Sequence, residues 1–266
     1  MRRSYRDKEY LTDENEAASI AAISVIGGRR EQQDCVGWSL QPDGGLFAVC
    51  DGMGGHAGGQ RASSTAIDRL LAAFERDPAT TDPAGFLQRT AMAIDREIHA
   101  MKGPSGAPLG AGATLVSAFI DGTGLYWFSV GDSRLYLYRA GALAQVTQDH
   151  VYRVVLGGLL EKGEITRERY DRDLARGEAL ISYLGIGNLQ LVDNNSVPLR
   201  LRPGDRLLLA SDGLYKAVPD ATLRAILRRF DNACDALLAM DRQAEKNTDR
   251  PGVRRDNLTA ALIRIK

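Results

Sequence analysis

Short apolar blocks with the alternation of strands run over residues 21–27 (AAISVIG), 34–40 (DCVGWSL) and 45–51 (GLFAVCD). The QPDGG between the last two carries the Asp and Gly of a hairpin turn, so an antiparallel start is expected. The period then changes. Over residues 60–76, Ala66, Leu70, Ala73 and Phe74 fall at helical spacing, and beyond them Phe86, Thr90, Ile94, Ile98 and Met101 share one helical face. Each stripe needs another layer to cover it. After a Gly/Pro loop, ATLVSAFID, GLYWFSVGD, RLYLYRA and ALAQVTQ, separated by turn residues, predict a four-stranded meander. Residues 151–180 become helical and charged. VPLRL, DRLLLASDG and a terminal LTAALIRIK return to strand, with one helix over about 219–245 between the last two.

Antiparallel strands carrying helices inserted in pairs do not alternate β and α regularly, which excludes a doubly wound parallel sheet and favours a β-sandwich flanked by helices. No repeat or low-complexity linker interrupts the 266 residues, and one domain over 1–266 is expected. A 44% hydrophobic, 26% charged composition suits a sizeable core. Lys plus Arg and Asp plus Glu are both 34, so no net field draws the chain to nucleic acid or to an anionic membrane, and neither is an expected partner. The first eighteen residues mix both signs of charge without an apolar core; they are expected to be flexible, and neither a signal peptide nor an anchor, which places the protein in the cytoplasm. Cys35, Cys50 and Cys234 contain no CxxC pair, which speaks against a disulfide framework and against thiolate zinc. Strand alternation turns Cys35 and Cys50 away from their neighbouring aspartates and into the core.

Those aspartates recur in one local grammar, a strand bordered by Asp with Gly, Ser or Asn: Asp51 in AVCDGMGG, Asp132 in FSVGDSR, Asp212 in LLLASDGL, and Asp256 in RRDNLTAAL. Asp34 opens a strand in REQQDCVGW. Singly, each is a favoured turn residue. Together, on strands that pair side by side, they would converge at one rim, where crowded carboxylates must take up protons or bind cations. Oxygen-only ligands without a His or Cys cluster select Mg2+ or Mn2+ over zinc. Two such ions roughly 3.5–4 Å apart can activate a water and polarise a phosphoryl oxygen, which is the chemistry of phosphate ester hydrolysis. Arg29, five residues before Asp34, offers a fork for the phosphate.

Residues 52–57 (GMGGHA) match a dinucleotide fingerprint, but a second helix rather than a parallel strand follows, and an Asp precedes the loop. The glycines are better explained by a tight turn that lets the Gly52 carbonyl approach a metal. His56 is expected to serve a turn or helix start, and His150 to fix the segment after its strand.

With these motifs in order, the sequence resembles the metal-dependent serine/threonine protein phosphatases of the type 2C class, the PPM family. The resemblance runs from about Ala21 to the end and is carried by GGRREQQD, AVCDGMGGHAGG, GATLVSA, VGDSRLYLYR, VTQDH, GEIT, LLLASDGLYK and RDNLTAALI. It implies an α+β fold, a four-layer α-β-β-α sandwich of two antiparallel sheets packed face to face with helices outside each. It also implies a phosphoserine and phosphothreonine phosphatase using two Mn2+ or Mg2+ ions per chain and a weaker third. Carried over residue by residue, Asp51 bridges the two ions, the Gly52 carbonyl joins one, and Asp212 and Asp256 complete the other. Asp34 holds a metal or its waters, Arg29 takes the phosphate, Asp132 with Asp212 matches the third site, and Asn257 stands behind the ligands.

The departures are Gln32, Gln33 and Gln60 where relatives carry other polar residues, Met53 where animal members carry a histidine, and an unfamiliar flap-like stretch over 150–190. The last bears on substrate preference. The expected partner is a phosphoprotein, the product of a bacterial-type Ser/Thr kinase, acted on by a monomer. Two other readings stay open: a module that binds a phosphoprotein without turning it over, and a phosphatase of a small phosphorylated metabolite.

Overall fold

The computed structural model describes residues 8–55, 58–78, 80–249 and 252–266. Strands β1 (Lys8–Glu14), β2 (Ala18–Val25), β3 (Asp34–Gln41) and β4 (Gly44–Met53) come first, followed by helices α1 (Gly58–Arg76) and α2 (Pro83–His99). Strands β5 (Gly112–Ala113), β6 (Leu115–Asp121), β7 (Gly124–Val130), β8 (Arg134–Arg139) and β9 (Ala142–Gln145) lead into α3 (Tyr152–Glu161) and α4 (Arg167–Asp173). The remainder is β10 (Asp193–Asn194), β11 (Leu199–Arg200), β12 (Arg206–Ala210), α5 (Asp212–Tyr215), α6 (Asp220–Arg229), α7 (Ala233–Thr248) and β13 (Leu258–Ile265).

One sheet has the order β1-β2-β13-β12-β8-β9; the other is β10-β7-β6-β4-β3, with β11 beside β7 and β5 beside β4. Every named pairing is antiparallel. The central strands are buried on both faces, which is why they read as nearly continuous apolar runs. On β4, Phe47 and Val49 meet Leu207, Leu209, Ala261 and Ile263 of the opposite sheet, while Leu46, Ala48 and Cys50 pack under α1 and α2 against Leu70, Phe74 and Ile94. Leu208, Ala260 and Leu262 point the other way, under Leu223, Leu227, Leu237 and Met240 of α6 and α7. The layers are therefore helix, sheet, sheet, helix, as the resemblance implied.

Three expectations are corrected. The four-strand meander is two hairpins in different sheets, because the chain leaves the β6–β7 pair and enters the β8–β9 pair of the other sheet at Gly131 and Asp132. Gly-Asp-Ser suits a hairpin turn and a corner between sheets equally well, and strands apolar on both sides fit either. The single late helix is two: Asn232 caps α7, accepting from Asp235 N at 3.1 Å, and the Arg206 guanidinium binds the Leu227 and Phe230 carbonyls that end α6. The first eighteen residues are not wholly flexible, since β1 pairs with β2 from Lys8↔Val25 to Glu14↔Ser19 around a turn closed by Asn15.

The corner between the sheets depends on Gly131, whose φ is +93° and where a Cβ would lie 2.6 Å from Thr114 Cγ2. Gly131→Ala is expected to cost roughly 2–3 kcal/mol, from overlap and backbone strain together. Gly122→Ala, at φ +55° in open space, should cost only about 1 kcal/mol. Urea midpoints of the two variants check the contrast.

Candidate metal and phosphate site

The antiparallel ladder sets Asp34 directly opposite Asp51, at the end of the β3–β4 pair. Like charges opposed in this way repel. Asp212 starts α5 immediately after β12, Asp256 lies two residues before β13, and Asp132 occupies the corner between the sheets, so all five expected aspartates gather at one end of the sandwich. Their closeness is visible in their acidity. Burial, with repulsion from Asp212 and Asp256, pushes Asp34 up to about 7 despite a 2.7 Å hydrogen bond from Ser211 Oγ. Burial and then Asp34, Asp212, Asp132 and Asp256 hold Asp51 well above the usual carboxylate range. Asp132 is raised by burial and by Asp212.

Backbone anchors keep these groups in place. Asp51 N donates to Thr114 Oγ1 at 2.8 Å and Thr114 N returns a bond to Asp51 O at 2.8 Å. Asp34 N donates to Gln32 Oε1 at 3.2 Å. Asn257 ties the Arg29 loop down: its Nδ2 donates to Ile26 O and Glu31 O, its Oδ1 accepts from Gln33 N, and its own N donates to Asp256 Oδ1 at 2.8 Å. Gly52 lies in β4 rather than in the turn, and its lack of a side chain serves packing. A Cβ there would lie 2.1 Å from Gly59 O and 2.6 Å from Gln33 O, so the start of α1 could not close on the strand. Gly54, at φ +125°, makes the turn.

Two cations meet the carboxylates. Arg29 Nη2 lies 2.5 Å from Asp256 Oδ2, with both side chains substantially exposed. Lys216 Nζ lies 2.8 Å from Asp212 Oδ2 and 3.5 Å from Asp132 Oδ2, and these neighbours outweigh burial to hold it above the usual lysine range. Among the described residues, no three His, Cys, Asp or Glu side chains close on one point as a finished metal cage. Asp256 is turned to Arg29, while Asp132 and Asp212 are turned to Lys216. The donor set nevertheless suits a hard divalent ion, being all oxygen and richer in carboxylates than in the cations that touch them. A hollow of about 550 Å³ beside Asp51, Gly52 and Asp256 is walled by Arg29, Arg30 and Arg254. A larger one of about 810 Å³ shares Arg254 but includes none of the five aspartates.

Asp34, Asp51, Asp132, Asp212, Asp256, Arg29, Gly52 and Asn257, the residues expected from the sequence, all lie at this end, with Arg29 on Asp256. His150 does fix its segment, its Nδ1 accepting from Gly131 N at 3.1 Å. His56 lies outside the described residues. Lys216 and Tyr215 were missed, although Asp212 and Lys216 at i,i+4 after a strand were a usable signal. Also missed was Arg134, which grips Asp149 at 2.7 and 2.9 Å behind Asp132.

Residues 25–248 match the family model described as protein phosphatase 2C. The chain belongs to that family. It is 34% identical over 186 residues to the serine/threonine phosphatase stp of Listeria innocua, covering 69% of this chain and 71% of that one. Its fold is similar to the serine/threonine phosphatase PstP/Ppp of Mycobacterium tuberculosis, with a TM-score of 0.77, 28% identity, and 94% and 99% of the two chains covered. It is also similar to the catalytic domain of PstP in complex with two manganese ions, with a TM-score of 0.73, 29% identity, and 94% and 98% covered. Of the described residues in this protein phosphatase 2C chain, no helix is long and apolar enough to cross a membrane.

The raised carboxyl pKa has a consequence for stability. A carboxyl that moves from 3.8 to about 7 on folding binds its proton more tightly in the folded chain, so its contribution is full below pH 4 and is lost as pH rises to 7. In excess chelator, Asp34→Asn should therefore gain on wild type by up to about 1.4 kcal/mol per pH unit across that window. Paired urea titrations at pH 4, 5.5 and 7 read the difference; a constant gap would refute the assignment.

Proposed function

We propose that this chain hydrolyses phosphoserine and phosphothreonine in proteins at a centre holding two Mn2+ or Mg2+ ions. The observation that carries this reading is the register that forces Asp34 against Asp51 at the point where Asp212 and Asp256 also arrive. When bound, such ions lower the pKa of a water and polarise a phosphoryl oxygen. Asp51, the Gly52 carbonyl, Asp34, Asp212 and Asp256 would hold the ions. Ser211 and Gln32 orient Asp34, Thr114 fixes the strand under Asp51, and Asn257 fixes Asp256.

Arg29 binds the phosphate. Its pair with Asp256 is exposed and so worth at most about 1 kcal/mol, and a phosphate offering two oxygens competes for the same fork. The manganese in the similar PstP structure and the named Ser/Thr activity of the Listeria relative support the same choice of ion and substrate. The residues over 150–190 border the site through Glu178 and act as the flap that sets substrate preference. The chain works as one domain and as a monomer in the cytoplasm, opposing a bacterial-type Ser/Thr kinase.

With Mn2+ added, wild type is expected to hydrolyse p-nitrophenyl phosphate and phosphothreonine peptides, with sugar phosphates at least about tenfold poorer by kcat/KM. Asp51→Asn and Asp212→Ala should each lower kcat by about a thousandfold or more, whereas Arg29→Ala should raise KM about tenfold with a smaller change in kcat. Steady-state kinetics on the four proteins decide this. Undiminished turnover in Asp212→Ala would remove the metal assignment, and a preference for sugar phosphates would remove protein as the substrate.

A further inference from the structure

Lys216 stands where the family resemblance calls for a third divalent ion. Its ammonium is shared among Asp212 Oδ2 at 2.8 Å, Asp132 Oδ2 at 3.5 Å and Glu178 Oε2 at 3.2 Å. The placement is built into the chain. Lys216 follows Asp212 by one helical turn at the end of α5, so the two side chains are neighbours whatever else is bound. Tyr215 donates its hydroxyl to the Asp132 carbonyl oxygen at 2.9 Å and lies 3.2 Å from Asp132 Oδ2, occupying further acceptor capacity of that carboxylate. The Tyr215 ring is itself fixed, with the Arg134 guanidinium 3.6 Å over its face and Arg134 clamped by Asp149. Glu178 takes Lys216 on one oxygen and Arg153 on the other, and Arg153 also binds Asp149.

We propose that the Lys216 ammonium is the resident cation of the Asp132–Asp212 pair, limiting the centre to two divalent ions and making Asp132 an anchor for Lys216 rather than a metal ligand. This rests on the two-ion reading given above. The pair does not fit a third ion: the Oδ2 atoms that would face it already face the Lys216 ammonium, which Glu178 holds from the other side. An ion entering there must displace the ammonium from three carboxylates at once. Asp212 keeps its second oxygen for the binuclear centre, so the lysine closes one side of the cluster without closing the other. Since Lys216 also contacts Glu178, it ties the flap segment to the metal-bearing end with an ordinary side chain.

The test is the manganese stoichiometry of the full chain, measured by equilibrium dialysis with metal analysis and located by anomalous scattering from crystals soaked in millimolar Mn2+. Wild type should hold two ions, neither of them between Asp132 and Asp212. Lys216→Gln should gain a third ion at that pair, and Lys216→Asp, which adds a carboxylate, should bind it at least about tenfold more tightly. A third ion between Asp132 and Asp212 in wild type, or two ions in all three proteins, would overturn the proposal and leave the two-ion reading standing. A wild type that binds none overturns both, and that outcome is read from wild type alone.

Discussion

Repulsion between Asp34 and Asp51 is the constraint on which the rest of the molecule turns. A ladder one residue out of register would move one of the two carboxylates to the opposite face, and a looser hairpin would let them part. Neither escape is open. Val36, Trp38, Phe47 and Val49 lock one face of the hairpin against the other sheet, and Leu46, Ala48 and Cys50 lock the other under α1 and α2. A slip would expose both sets, which costs about 1.5–3 kcal/mol for each large apolar side chain turned to water. The core therefore holds the charges together against their own field, and the unfavourable energy remains at the site in the form of weakened carboxyl acidity.

The cations that answer this charge differ in how firmly they are held. Arg29 reaches Asp256 from a loop, in an exposed pair that contributes little and can be exchanged for a better anion. Lys216 is fixed by its own helix turn, by two carboxylates of the cluster and by Glu178. One side of the cluster thus meets an arginine held by a single carboxylate and the other a lysine shared among three. The hollow lined by Arg29, Arg30 and Arg254 lies on that first side and is also lined by Asp51, Gly52 and Asp256, so guanidinium groups and carboxylates share one opening.

What the sequence disclosed follows from the same division. Strand periodicity, the QPDGG turn and the recurrent Asp-Gly, Asp-Ser and Asp-Asn steps are local signals, and they located the layers, the β3–β4 hairpin and all five aspartates. The path of the chain between the sheets was not legible, because Gly131-Asp132-Ser133 reads alike as a hairpin and as a corner, and only the partner strands of β7 and β8 distinguish them. The break between α6 and α7 was hidden because its decisive contact comes from Arg206 on a strand more than twenty residues upstream. The glycine at 52 was assigned to turning, whereas its role is to admit Gly59, a contact between two backbones that no side-chain pattern records.

The stretch over 150–190 is attached to the rest of the molecule by two kinds of bond. Asp34 and Asp51 are carried by the β3–β4 ladder, whose main-chain bonds survive most changes in neighbouring side chains, and Asp256 Oδ1 accepts from Asn257 N. Near its ends the stretch joins the sandwich through main-chain bonds, His150 N to Gly131 O and the Ala113–Leu184 pair, and toward the aspartates it is joined through charged side chains, Arg153 to Asp149 and Glu178 to Lys216. Asp149, the hub, is itself buried and gripped by Arg134 on β8, so this attachment begins on the sheet and runs outward. Such a network can be rewired by single substitutions without moving the strands that carry the aspartates. The strands that carry the aspartates and the ion pairs that reach Lys216 are therefore separable, one fixed by backbone register and the other by side-chain charge.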